Sequence, residues 1–132
     1  MRQISVLLLF LVMTGGCAEQ FDHDTALAAK RAVEFAEATF VRANLDQGYA
    51  MLDNKTRSYV PLNIFADKVS KMHPSGRPNK IASLSTAPVK GERIVSVTLR
   101  GEGDGQFIYA VAVIGTAATD YRVTTFSGGR SS

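Results

Sequence analysis

The sequence predicts an α+β fold in which N-terminal helices pack on a curved four-stranded antiparallel sheet formed by the C-terminal half. Two observations lead to this prediction. Between residues 24 and 72 apolar residues recur at steps of three and four, which is typical of helices. After Pro78 apolar and polar residues alternate, which is typical of strands. Helices followed by strands, rather than alternating with them, favour the α+β class.

The first helix is expected to be the longest element. Asp24 is a good N-terminal cap, and the helical pattern continues from there to about residue 44. One stripe of this helix should face the core, and Phe35 and Val41 fall outside it and indicate a second, partial contact. The stripe consists of Ala29, Ala32, Val33, Ala36, Phe40 and Ala43. A bent sheet wrapped around this helix would bury the stripe.

Two shorter helices should follow. Residues 49–52 read as a brief second helix, and residues 53–55 read as a turn. Pro61 suits the first turn of a third helix that runs to about Met72. Its apolar positions are Ile64, Phe65, Val69 and Met72. A loop over residues 73–78 then leads into the strands.

Four strands connected by short turns should complete the fold. They cover residues 81–89, 94–100, 107–114 and 121–126. Strand 94–100 alternates in polarity, as expected for a sheet with one buried face. Strand 107–114 is apolar at every position except Tyr109, which predicts a central strand covered on both sides. The glycine-rich residues 101–105 read as a turn, and residues 128–132 as a polar tail.

The first sixteen residues have the pattern of an export signal. Arg2 precedes an apolar stretch at residues 4–13, which as a helix would span about 15 Å, roughly half a bilayer core. Small residues then lead to Cys17, the only cysteine. Residues 14–17 resemble the lipobox of bacterial lipoproteins, although Thr14 stands where that family usually has Leu. The resemblance implies cleavage before Cys17 and its modification with fatty acyl chains.

The fate of the signal decides where the protein resides. Cleavage after Ala18 is the alternative, because residues 16–18 also fit an ordinary small-x-small site. With lipidation, the protein would be exported and anchored to the cell envelope through Cys17. Ala18 is not the Asp that retains such proteins at the inner membrane, so a Gram-negative host would place it on the periplasmic face of the outer membrane. Residues 17–23 then form a tether, and residues 24–127 one domain.

Positive charge is concentrated in the middle of the chain. The whole chain carries a formal charge of +3, which is too small to indicate nucleic-acid binding by itself. Residues 54–93, however, hold eight of the 15 basic residues and two of the 12 acidic ones. A solvated surface is one interpretation. The other is a contact with anionic lipid or an acidic partner, for which the candidate residues are Lys68, Lys71, Arg77 and Lys80.

The order of elements is similar to the nuclear-transport-factor-2-like (cystatin-like) superfamily. The similarity covers roughly residues 24–127. It lies in the long helix leading into residues 40–52, the residue 54–59 turn with Arg57, the residue 61–72 helix with Phe65, and the strands after Ile81. It implies a helix-lined curved sheet. Enzymes, binding modules and secretion subunits share this fold, so the resemblance alone assigns no function.

Residues with catalytic chemistry are sparse. His23 and His73 are the only histidines, and they lack metal-ligand spacing, so no metal and no cofactor are expected. His73, next to Pro74, reads as a helix-end residue. Related enzymes of this fold pair a pocket Asp or His with a Tyr. The candidates that the resemblance implies here are Asp67 as the acid and, as pocket tyrosines, Tyr49, Tyr59, Tyr109 and Tyr121. A Tyr in an apolar strand such as 107–114 is more often a core residue with a bonded hydroxyl.

The function expected from the sequence is binding rather than catalysis. A lipid-anchored domain would interact with the membrane through its anchor and with a protein of the envelope through its surface. The alternatives are an isomerase- or dehydratase-type enzyme of the same fold and a carrier of a small apolar ligand. Nucleic acid is not an expected partner, because the basic segment has few interleaved aromatic residues and export removes the protein from nucleic acid.

Overall fold

The computed structural model describes residues 20–131 and confirms the α+β class. Helices occupy the N-terminal part, and the rest forms an open antiparallel sheet of four strands in the order β1-β2-β3-β4. None of the helices within residues 20–131 is both long and apolar enough to cross a membrane. The predicted export signal at residues 1–16 and the predicted lipidation site at Cys17 lie outside the described residues.

Four α-helices and one π-helical turn make up the helical layer. They are α1 (Thr25–Ala36), a π-turn (Glu37–Val41), α2 (Leu45–Ala50), α3 (Asn54–Tyr59) and α4 (Leu62–Met72). The prediction that Asp24 caps the first helix is confirmed, because its Oδ1 accepts a hydrogen bond from the Leu27 N–H at 3.0 Å. The cap satisfies one of the N–H groups that a helix leaves unpaired at its start.

Two predicted boundaries in this layer are wrong. The second helix is Leu45–Ala50 rather than 49–52, since Asn44 caps it through the Gln47 N–H. The predicted turn at residues 53–55 opens α3 instead, because the Asp53 carboxylate accepts from the N–H groups of Lys55 and Thr56. A capping Asp favours a turn and a helix start equally well in sequence, and here the helix forms.

The buried stripe of the first helix is displaced from the prediction. Phe35 is fully buried, whereas Ala29 and Val33 are half-buried. Burying a phenylalanine removes far more apolar surface from water than burying alanines, so the helix rotates to bring Phe35 inward. The π-turn then adds a residue to the helix, and Ala43, at φ 55°, ends it. Phe40 is buried, as predicted.

The strands are longer than predicted. They are β1 (Pro78–Pro88), β2 (Ile94–Gly103), β3 (Gly105–Thr116) and β4 (Asp120–Ser131). The predicted polar tail is therefore the end of β4, where Ser131 pairs with Gln106. Glycine is unusual inside a strand, so Gly128 made the sequence read as a tail. The position requires glycine, because its φ is 122° and an added Cβ would lie 2.2 Å from the Ile108 carbonyl oxygen.

The sheet is buried on one face by the described residues. In β2, Val95, Val97 and Leu99 are buried, as the alternation predicts. The prediction that residues 107–114 are covered on both sides is wrong. Phe107, Tyr109, Val111 and Val113 are buried, but Ile108 is 39% exposed and Ala110 is exposed. The long helix α1, the π-turn and α4 contact the strands on the inner face, and small outer residues such as alanine tolerate water at little cost.

The core joins the helices to the sheet through aromatic rings. Phe40 stacks on Tyr109 with a centroid distance of 4.4 Å. Phe126 of β4 lies within 5.5 Å of the rings of Phe35 and Phe65. Of the predicted apolar positions in α4, Phe65 and Val69 are buried, whereas Ile64 is 52% exposed. α4 therefore presents one narrow face to the core and leaves the other in solvent.

Gly48 permits the close approach of α2 to the π-turn. A Cβ added at this residue would lie 2.0 Å from the Oγ1 atom of Thr39, which is buried and has no hydrogen-bond partner among the described residues. Two helical segments can approach this closely only where one of them lacks a side chain.

Gly48→Ala is predicted to destabilise the protein by about 1–3 kcal/mol, because overpacking outweighs the roughly 1 kcal/mol that Ala normally gains over Gly in a helix. Combination with Thr39→Ala, which removes Oγ1, should recover much of the loss. Urea unfolding of both single variants and the double variant measures this coupling. Additive effects would show that the two residues do not clash.

Candidate functional site

The four candidate tyrosines occupy four different environments. The Tyr49 hydroxyl donates to the Val60 carbonyl at 2.6 Å and ties α2 to the end of α3. Tyr59 is 74% exposed. Tyr109 is fully buried in the core, and Tyr121 lies at the start of β4 with 3% exposure. The structure does not bring these side chains together around a common pocket.

Tyr109, which is buried, forms a hydrogen-bonded pair with His73, which is half-buried. The Nδ1 atom of His73 lies 2.9 Å from the Val69 carbonyl, so Nδ1 carries the hydrogen, and Nε2 accepts from the Tyr109 hydroxyl at 2.7 Å. His73 is the C-terminal cap residue of α4, which agrees with its interpretation as a helix-end residue. Burial lowers the pKa of His73, nearby Arg77 lowers it further, and burial raises the pKa of Tyr109.

The four basic candidates are separated and partly neutralised. Lys71 pairs with Asp67 at 3.0 Å, and Lys80 lies 3.9 Å from Glu102. Among the described residues, no carboxylate lies within 4.0 Å of Lys68 or Arg77. The positive field is therefore weaker than the number of basic residues in 54–93 suggests, because Asp67 within that segment and Glu102 outside it each lie beside one of the four candidates.

The segment before α1 is fastened to one end of the sheet. We call residues 21–24 the strap. The Asp22 carbonyl accepts from the Ala117 N–H at 2.7 Å, in the β3–β4 turn. Arg93, in the β1–β2 turn, places its guanidinium 5.4 Å from the centre of the Phe21 ring. Both contacts hold the strap on hairpin turns at the same end of the sheet, which we call the turn end.

His23 is the central residue of the strap. Its Nε2 lies 3.0 Å from the Glu92 carbonyl and its Nδ1 lies 2.8 Å from the Tyr121 hydroxyl. A carbonyl can only accept, so Nε2 is the donor, and neutral His23 accepts at Nδ1 from Tyr121. The Tyr121 oxygen in turn accepts from the Asp24 N–H at 3.0 Å. This network links both hairpin turns to the start of α1.

A bidentate ion pair reinforces the turn end. Arg31 of α1 donates from Nε and Nη2 to the two carboxylate oxygens of Asp120, at 2.8 and 3.1 Å. Asp120 adopts a left-handed conformation with φ 68°, and its carboxylate also accepts from the Tyr121 N–H. These hydrogen bonds to the charged form hold the pKa of Asp120 below its usual value, chiefly through Arg31.

The opposite end of the sheet carries the residue 73–77 loop and the β2–β3 turn. Arg130, near the end of β4, donates to the carbonyls of Asp104 and Ser75 at 2.6 and 2.8 Å. Arg77 and Lys80 belong to the same end, because β1 begins there. A ten-residue strand such as β2 separates the two ends by about 30 Å. We call this second end the loop end.

A cavity of about 170 Å³ opens between α3, α4 and β4. We call it the seam cavity. Its floor consists of the buried apolar side chains Leu52, Phe65 and Phe126. Thr56, Val60, Thr124, Thr125 and Lys68 form its walls and mouth. The Nζ atom of Lys68 lies 4.4 Å from the centre of the Phe126 ring, an interaction between a cation and the face of an aromatic ring.

The described residues contain no evident metal-binding site. Within residues 20–131, no cluster of three or more His, Cys, Asp or Glu side chains could hold an ion. The glycine-rich residues 101–105 form a tight hairpin, in which Gly103 pairs with Gly105.

Comparison with known proteins identifies no relative of this chain. No protein-family model matches the chain, and no curated protein or solved structure shows significant similarity to it.

Sequence reasoning missed the strap and the seam cavity. Phe65 and Lys68 are three residues apart on α4, a spacing that places them on one helix face and was a usable signal. The pairing of that face with Phe126 depends on tertiary structure, as does the contact between His23 and Tyr121, 98 residues apart. Local periodicity contains no information about such long-range contacts.

His73 should make folding stability depend on pH. Its pKa in the folded protein lies below the reference value of 6.5, so the unfolded chain binds the proton more readily. The stabilisation is complete above about pH 6.5 and is lost as the pH falls through the folded-state pKa. Urea unfolding at about pH 7.5 and pH 5.5 measures the loss, and the non-titrating variant His73→Gln should lose less. Equal losses would show that His73 is not the responsible group.

Proposed function

We propose that this chain is an exported lipoprotein, anchored to the cell envelope through Cys17, whose domain binds a partner rather than catalysing a reaction. The observation that supports this proposal best is the strap. It fastens the last residues of the predicted 17–23 tether to the turn end of the sheet, through Asp22 and His23. A domain fixed in this way has a defined orientation relative to its anchor.

The anchor and the strap are close together in the chain. Cys17 is three residues before Gln20, where the described structure begins, and even an extended chain of that length spans only about 10 Å. Anchoring at Cys17 would thus hold the turn end near the bilayer. Two or more acyl chains would make the attachment stable, whereas a single chain binds reversibly.

This orientation favours one class of partner for the basic residues. Arg77 and Lys80 lie at the loop end, about 30 Å from the strap, and would point away from the anchoring membrane. Anionic headgroups of the same membrane would then lie several Debye lengths away, too far to attract them. An acidic protein or polymer of the envelope is the partner that this arrangement favours.

The nuclear-transport-factor-2-like fold remains part of the proposal. Its support is the layering of a long N-terminal helix across an open antiparallel sheet, with shorter helices beside it. An enzyme of this fold is the alternative, but the hydroxyls of Tyr49, Tyr109 and Tyr121 are already engaged in internal hydrogen bonds. A second candidate function, carriage of a small ligand, is favoured by the seam cavity.

Cys17→Ser should abolish acylation and release the protein from the membrane. Fractionation of cells that express each form, with mass spectrometry of the mature N-terminus, tests this. We expect acylated Cys17 in the wild type and a membrane-free or unprocessed chain in the variant. A wild-type chain that begins at Glu19 without acyl groups would overturn the lipoprotein proposal.

The orientation can be tested separately. A fluorophore attached to Ala118→Cys at the turn end should be quenched efficiently by a short-range headgroup quencher in vesicles carrying the anchored protein. The same fluorophore on Ser75→Cys at the loop end should be almost unaffected, because about 30 Å of sheet separates the sites. His23→Ala should reduce the difference by loosening the strap. Equal quenching at both positions in the wild type would refute a fixed orientation.

A further inference from the structure

The seam cavity combines an apolar floor with a positive charge at its mouth, and neither is used by the proposed anchoring or by the strap. We propose that it binds a small carboxylic acid with an apolar body, such as an aromatic acid or a short-chain aliphatic acid. This inference does not depend on lipid anchoring, because every residue that carries it belongs to the folded domain.

The apolar half of the ligand is defined by the floor. Leu52 and Phe65 are 1% exposed and Phe126 is 7% exposed, so these side chains are packed in place before a ligand arrives and the floor is apolar, preformed and shallow. A cavity of about 150 Å³ is enough to admit a benzene ring. At about 170 Å³, the seam cavity holds one ring or a chain of similar size, and a long fatty acyl chain does not fit.

The charged half of the ligand is defined by Lys68. Its ammonium group lies over the Phe126 ring and has no carboxylate within 4.0 Å among the described residues. Lys71, one turn further along α4, is paired with Asp67 instead. A ligand carboxylate at the mouth would therefore gain a charge-assisted hydrogen bond from Lys68 without breaking an ion pair, and it would compete only with the contact between the ammonium group and the Phe126 ring.

The wall facing α4 adds a hydroxyl donor. Thr56 Oγ1 donates to the Asp53 carboxylate at 2.8 Å, which uses its only hydrogen. Because Thr56 has no hydrogen left, Thr124 is the donor in the 3.4 Å contact between the two Oγ1 atoms, a long hydrogen bond that a ligand oxygen could replace. The cavity thus offers a carboxylate a second donor besides Lys68.

Benzoate and its neutral isostere benzamide are the probes that separate charge recognition from apolar binding. We would titrate each into the isotopically labelled protein and follow amide chemical shifts by NMR. Benzoate should bind with a dissociation constant of about 1 mM, as expected for so small a ligand, and should shift the amides of residues 124–126 and Lys68. Benzamide should bind roughly tenfold more weakly.

Two methionine variants test the role of the charge. Lys68→Met keeps the length of the side chain, removes the ammonium group, and should weaken benzoate binding roughly tenfold while leaving benzamide unchanged. Lys71→Met is the matched control on the same helix and should change neither affinity by more than about twofold. Its neighbour Asp67 does not line the cavity.

Several outcomes would overturn the proposal. These are the absence of saturable shifts up to about 20 mM benzoate, shifts that map away from β4 and α4, and equal affinity for benzoate and benzamide. An equal loss in the Lys68 and Lys71 variants would show general electrostatic attraction rather than a site.

Decanoate should bind no better than hexanoate, because the cavity cannot enclose the longer chain.

Discussion

The fold depends on the contact between the end of the long helix and the centre of the sheet. Phe40 stacks on Tyr109 there, and Phe35 packs against Phe126, so two helical aromatic residues meet two strands at once. A single layer of helices on an open sheet has only one interface in which to bury apolar surface, and rings supply most of that surface. Three features surround this contact. The π-turn carries Phe40, Gly48 packs against the neighbouring residue Thr39, and the half-buried His73 forms a hydrogen bond with Tyr109.

The same contact explains why the two candidate sites lie at the margins of the fold. Because side chains fill the inner face of the sheet, the two candidate sites lie at its turn end and at the edge beside β4. The strap occupies the turn end, where His23 satisfies two hairpins. The seam cavity lies along β4, between α3 and α4 and above the buried side chains of Phe65 and Phe126.

Much of the architecture could be predicted from the sequence because it is local. The Asp24 cap, the burial of Phe40 and the alternation of β2 depend on spacing and residue type, and the structure agrees with them. The failures have tertiary causes. Phe35 is drawn inward by rings distant in sequence, the outer face of β3 is apolar without being covered by described residues, and Gly128 sits inside a strand because two backbones approach there. The two candidate sites combine residues from both halves of the chain, so no local pattern could reveal them.

The strap also has a mechanical consequence. A protein held at its N-terminus experiences any pull from its surroundings along the chain that leaves the domain. Such a force reaches the Asp22–Ala117 hydrogen bond and the His23 contacts before it reaches α1. Those bonds join the strap to two hairpin turns, so the load is divided between both halves of the sheet. The helix that carries Phe35 and Phe40 is shielded until the strap detaches, and the core is the last part of the molecule to be strained.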